Sequence, residues 1–231
     1  MTEMADMGAG LPGWLSTVSW IWIVAGFLSA AAVVFDIRGR GRRQSDSLME
    51  GIWPLAALYL GPLAMPVYLR FGRSPAQRQG DQPDPRATRG AAVRSVMPGG
   101  VASGLAHLVA VPFVVATGLT IAGVDMWAMV AIIAVLATGM IGAFDYAQGL
   151  RRGQKPTPAG ALVAAVLTVV AFDVGMLGWM LILHHTDTMP AASDVRFTFL
   201  MQLGLIFGSL TALPLIRVLI SRRAAPTASA P

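Results

Sequence analysis

Apolar residues gather into six long runs separated by short polar stretches. Trp14–Phe35 and Gly51–Leu69 carry no charged side chain, and Val101–Gly123, Trp127–Phe144, Pro158–Leu183 and Phe197–Ile216 follow. Coiled into a helix, the first run spans about 33 Å, enough for a ~30 Å hydrocarbon core. No run alternates apolar and polar positions, which disfavours a membrane β-barrel. The expected fold is all-α, a polytopic transmembrane helix bundle. The second run is built to bend: Pro54, Gly61, Pro62 and Pro66 interrupt it, and each proline removes a backbone donor and crowds the preceding turn. A broken element is allowed at membrane depth only where other helices cover its backbone groups. The pattern therefore predicts five full spans plus one broken or re-entrant segment, with six complete spans as the alternative.

Composition agrees with this picture. Of 231 residues, 55% are hydrophobic and 13% charged, against a usual ~25% charged in soluble domains. A soluble fold of this size cannot bury so much apolar surface, so lipid is the expected partner for most of it. The chain has no cysteine, which excludes disulfides, thiolate metal sites, iron–sulfur clusters and cysteine nucleophiles. The net charge of +5 arises from 17 basic and 12 acidic residues. In a membrane chain that excess reads as topology rather than nucleic-acid binding.

The positions of the basic residues discriminate between orientations. If all six runs cross, the better arrangement puts 12 basic residues inside and 5 outside. If Gly51–Leu69 turns back, the amino terminus lies outside and the tally becomes 16 inside and 1 outside, which fits the positive-inside tendency better. Met1–Gly13 holds Glu3 and Asp6 and no basic residue, so it reads as an acidic external tail and not as a signal peptide. The expected organisation is a tail over 1–13, one transmembrane domain over 14–223 with a mobile polar loop at about 70–100, and a disordered end over 224–231. The arginine-rich loops and carboxyl terminus are expected on the cytoplasmic side, where their arginines can also meet anionic headgroups.

Polar groups inside the runs are the candidate chemistry. Asp173 lies near the middle of Pro158–Leu183, where a carboxylate costs roughly 2.5–3.5 kcal/mol, so it should face other helices and have company. His107 is the other ionisable candidate well inside a run, and an Asp173–His107 pair would satisfy both groups. His184, His185 and Asp187 have the residue types of a metal site. Adjacent histidines on a helix point about 100° apart, however, and an interfacial cap explains them better than a metal. No metal or cofactor is expected. Gly100 with Gly104, Gly204 with Gly208, and Gly175 and Gly178 beside Asp173 have the spacing of close helix packing. Asp36 and Asp145 sit at run ends where a carboxylate can reach headgroup water. Trp14, Trp20, Trp22, Trp53, Trp127 and Trp179 mostly lie near run ends, as an aromatic belt would place them. There is no phosphate-cradling loop, no G-x-S-x-G and no H-E-x-x-H, so no enzymatic role is expected.

The run Met49-Glu50-Gly51-Ile52-Trp53-Pro54, through Leu58-Tyr59-Leu60-Gly61-Pro62 to Tyr68-Leu69-Arg70-Phe71-Gly72-Arg73, resembles a bacterial integral-membrane family of unknown function, numbered forty-three ninety-six. Ala171-Phe172-Asp173-Val174-Gly175-Met176-Leu177-Gly178-Trp179-Met180 and Phe199-Leu200-Met201-Gln202-Leu203-Gly204 share the likeness, which runs from about Trp14 to Arg223. The resemblance implies a bacterial inner membrane. Typical members carry a His-Cys-Gly-Ala-Gly-Cys stretch at the start of the third run. Here Ser95-Val96-Met97-Pro98-Gly99-Gly100-Val101-Ala102 stands in its place, with neither cysteine nor histidine. Thiol or metal chemistry therefore does not transfer, while Asp173 remains where relatives carry glutamate. The expected function is a non-enzymatic accessory or structural subunit, packed against other membrane subunits or further copies of itself through its small-residue faces. The alternative is a small proton- or cation-coupled transporter using Asp173.

Overall fold

The computed structural model describes residues 11–42, 44, 46–73 and 85–224, with side chains omitted at 85–89 and 221–224. It is an all-α bundle, with no strand among the described residues. Helix α1 covers Trp14–Val34, α2 Ser47–Leu60, α3 Ala64–Val67, α4 Pro85–Thr117, α5 Asp125–Arg151, α6 Pro158–His185 and α7 Val195–Ala224. Six segments are long and apolar enough to cross a membrane, Ser47–Gly72 among them. The tails expected over 1–10 and 225–231 lie outside the described residues, as does the loop over 74–84.

Ser47–Gly72 has the length of a span but folds back on itself. A straight helix would separate residues 53 and 68 by about 22 Å along its axis, yet the Trp53 and Tyr68 rings pack edge to face with centroids 5.5 Å apart. Gly72 lies against the Trp53 indole, where a Cβ would overlap the ring. The reversal occurs at Gly61-Pro62-Leu63, a single 3-10 turn entered through Gly61 at φ +56°, a conformation that favours glycine. The segment is thus a re-entrant helical hairpin, α2 descending and α3 with the wide turn Tyr68–Gly72 returning.

Pro62 has no N–H to offer the Leu58 carbonyl, which is its acceptor in a continuing helix. Gln202 of α7 supplies the missing donor, its Nε2 lying 2.9 Å from that oxygen. This is the cover a broken backbone needs at membrane depth. The hairpin tip also abuts α1, where Gly61 meets the Trp22 indole and Gly26 approaches the Leu58 carbonyl. At the hairpin's open end, buried Asp36 accepts from Tyr68 Oη and from Arg73 Nη2, both at 3.1 Å, with Arg40 Nη1 at 3.6 Å. Asp36 is 4% exposed, so it pins the returning arm instead of reaching headgroup water as expected. Trp53, 1% exposed, and Trp22 beside Gly61 likewise belong to the interior and not to an aromatic belt.

Helices α4 to α7 form a ring: α4 packs on α5, α5 on α6, α6 on α7, and α7 back on α4, with α4 and α6 diagonal. Alanines dominate the α4–α5–α6 seam (Ala102, Ala106, Ala110, Ala137, Ala165). Without water to drive association in lipid, such small residues let backbones approach and gain dispersion contacts. Residues 85–100, expected within a mobile loop, are instead the first turns of α4. Ala87, Ala91 and Ala92 are strong helix formers, and Ala92, Val96 and Met97 are buried.

The polarity of the bundle follows from these contacts. Arg196, at the start of α7, donates to the Leu11 carbonyl, so the chain enters α1 at the end where α7 begins. Arg94 Nη1 donates to the Phe71 carbonyl, and Arg151 Nη1 to Ser47 Oγ, which gathers the hairpin mouth, the start of α4 and the end of α5 at the opposite end. Among the described residues, Arg38, Arg40, Arg42, Arg70, Arg73, Arg94, Arg151, Arg152, Lys155 and Arg217 lie at that arginine-rich end. Arg196 is the one described basic residue other than histidine at the other.

Candidate functional site

Asp173 lies midway along α6 and opens into a narrow crevice inside the ring. The crevice is lined by Gly99 and Ser103 of α4, Ala137 and Ile141 of α5, and Val169, Phe172 and Asp173 of α6, and it does not admit a water molecule. Ser103 is 3% exposed. Its hydroxyl is buried with no hydrogen-bond partner among the described residues, an uncommon and costly condition. Asp173 is half-buried and forms no hydrogen bond or ion pair with a described residue. A carboxyl that only locked helices together would be bonded to them.

The expected Asp173–His107 pair does not form. His107 Nδ1 lies 2.8 Å from the Ser103 carbonyl oxygen, one helical turn back on the same face of α4. A carbonyl only accepts, so Nδ1 carries the proton and Nε2 keeps its lone pair. That Nε2 is buried and has no partner either. Ser103 is therefore the residue that sequence reasoning missed: it shares the crevice with Asp173 and a backbone contact with His107. Its spacing four residues before His107 was the available signal.

The glycines have specific neighbours. A Cβ at Gly175 would stand 2.5 Å from the Phe207 carbonyl oxygen, and one at Gly208 would overlap the Phe172 ring. Gly204 backs onto Met176 and Trp179, whose indole donates to the Leu200 carbonyl at 2.8 Å. Gly100 receives the Tyr59 hydroxyl and Gly104 faces Leu205, whereas Gly178 faces open space. At the arginine-poor end the rings of His184 and His185 stand 5.7 Å apart, edge to face. No group of three or more His, Asp or Glu side chains there or elsewhere among the described residues converges as a metal site would require. Asp194 caps α7 by accepting from the Arg196 backbone N–H at 2.8 Å and from Nε at 2.9 Å. These hydrogen bonds hold its carboxyl below the usual range.

Comparison with curated proteins and with solved structures gives no match. The sequence model of the family described as Domain of unknown function (DUF4396) matches residues 90–224. That stretch takes in the α4–α7 ring with its crevice, and it begins after the Met49–Arg73 run that carries the most specific part of the sequence resemblance. The chain belongs to this family of unknown function.

Proposed function

We propose that the chain is a small proton-coupled membrane transporter in which Asp173 is the proton-binding group. One observation carries the reading. The Asp173 carboxyl, without a partner among the described residues, shares a mid-helix crevice with a hydroxyl that also has none there. An ionisable group at this depth is expensive, and function is its usual justification. The crevice is too narrow for a hydrated cation, which favours the proton as the species bound.

The accessory-subunit reading looks to small-residue faces for partner helices. Gly100, Gly104, Gly175, Gly204 and Gly208 are occupied by the chain's own side chains and backbone and Gly178 faces open space, so five of these six glycines do not by themselves argue for a partner. By the positive-inside tendency the arginine-rich end is cytoplasmic and the amino terminus periplasmic, in a bacterial inner membrane.

The test is reconstitution in liposomes holding a pH-sensitive dye. Under an imposed pH gradient the wild type dissipates it, and Asp173→Asn, which keeps size and hydrogen bonding, does not. Equal rates for the two, with both folded in detergent, contradict the proposal.

A further inference from the structure

Resting on Asp173 as the proton site, we infer that protons reach it from the arginine-poor end of the bundle, along the Ser103–His107 face of α4, with Ser103 and His107 as the transfer residues. The two directions away from Asp173 differ in kind. Toward the arginine-rich end the crevice is lined by Gly99, Ile141 and Val169, which bring no side-chain donor or acceptor. The Thr168 hydroxyl is spent on the Ala164 carbonyl at 2.8 Å. Toward the arginine-poor end stand two buried polar atoms with capacity unused, Ser103 Oγ and His107 Nε2.

The transfer balances without any further reactant. A proton arriving from the arginine-poor side binds the free lone pair of His107 Nε2. After side-chain rotation the imidazolium gives that proton to Ser103 Oγ, while the hydroxyl proton passes to the Asp173 carboxylate. Histidine and serine return to their starting forms, and the aspartate has gained one proton.

Few other groups compete. Between Asp125 and Asp145 on α5 and between Arg196 and Arg217 on α7 there is no charged side chain or histidine. On α6 the other such residues are His184 and His185, its last two, far from the crevice, and the hairpin brings Tyr59 against Met97 and Gly100 of α4.

The experiment measures the initial rate of proton flux in proteoliposomes between pH 5 and 8 for the wild type, Asp173→Asn, His107→Gln, Ser103→Ala and Ser103→Thr. All are first checked for folding by thermal unfolding in detergent. The expected result is loss of flux in Asp173→Asn and a decrease of about 100-fold in His107→Gln and Ser103→Ala, the scale of one lost proton-transfer group. Ser103→Thr restores the rate because it restores the hydroxyl. Wild-type flux in His107→Gln and Ser103→Ala overturns the route and leaves Asp173 as the proton site if Asp173→Asn is inactive. Failure of Ser103→Thr to rescue overturns the hydroxyl's role. Wild-type flux in Asp173→Asn overturns both the route and the reading beneath it.

Discussion

A single missing N–H organises the middle of this protein. Pro62 leaves the Leu58 carbonyl without its helical donor, and the Gln202 amide replaces it from another helix. Gln202→Leu should therefore lower stability by about 1–3 kcal/mol, the cost of stranding a buried carbonyl, measurable as a lower unfolding temperature in detergent. Asp194 gives a prediction with a defined sign. Its carboxyl is held low chiefly by Arg196, so the stabilisation is present above the ordinary carboxylate pKa of about 4 and is lost as pH falls through the folded value. Unfolding temperature should drop on acidification in the wild type and drop less in Asp194→Asn. The pair is solvent-accessible, so the effect is small. At this scale Asp173 was legible, because it is the one charge inside a long apolar run. Ser103 was not, because a hydroxyl sits comfortably in any helix by bonding its own backbone, as Ser209 does to Leu205. Asp36 was misread because its partners, Tyr68 and Arg73, are more than 30 residues away in sequence.

Between elements, close approach decides which glycines matter. Gly175 meets the backbone of α7, which cannot yield as a flexible side chain would, so Gly175→Ala should cost about 1–3 kcal/mol by overpacking. Gly178→Ala, three residues on and facing open space, should leave the unfolding temperature unchanged or raise it slightly. The sequence showed both glycines with the same spacing pattern. Only the angle at which α6 meets α7 distinguishes them, and no local pattern encodes that angle. The hairpin was more legible, since Gly61-Pro62 both breaks the ladder and permits the reversed backbone. Residues 85–100 were misjudged because their arginines and glycines resemble a loop, whereas burial of Ala92, Val96 and Met97 stabilises a helix there.

For the whole molecule, the hairpin and the arginines are one argument. A segment that returns to its own side puts Arg38, Arg40 and Arg42 at the same end as the region around Arg94, which agrees in sense with the sequence tally of 16 basic residues against 1. Reporter fusions after Arg43 and after Arg94 should report the same compartment; opposite compartments would mean that Ser47–Gly72 crosses. On the proposed reading, the pinned hairpin and the four-helix ring frame Asp173 as an exchangeable group. The most direct measurement is difference infrared spectroscopy of the reconstituted protein through a pH titration. A carboxyl carbonyl band is predicted that titrates, shifts in heavy water and disappears in Asp173→Asn. A spectrum in which no band assignable to Asp173 responds to pH or to heavy water would contradict the account.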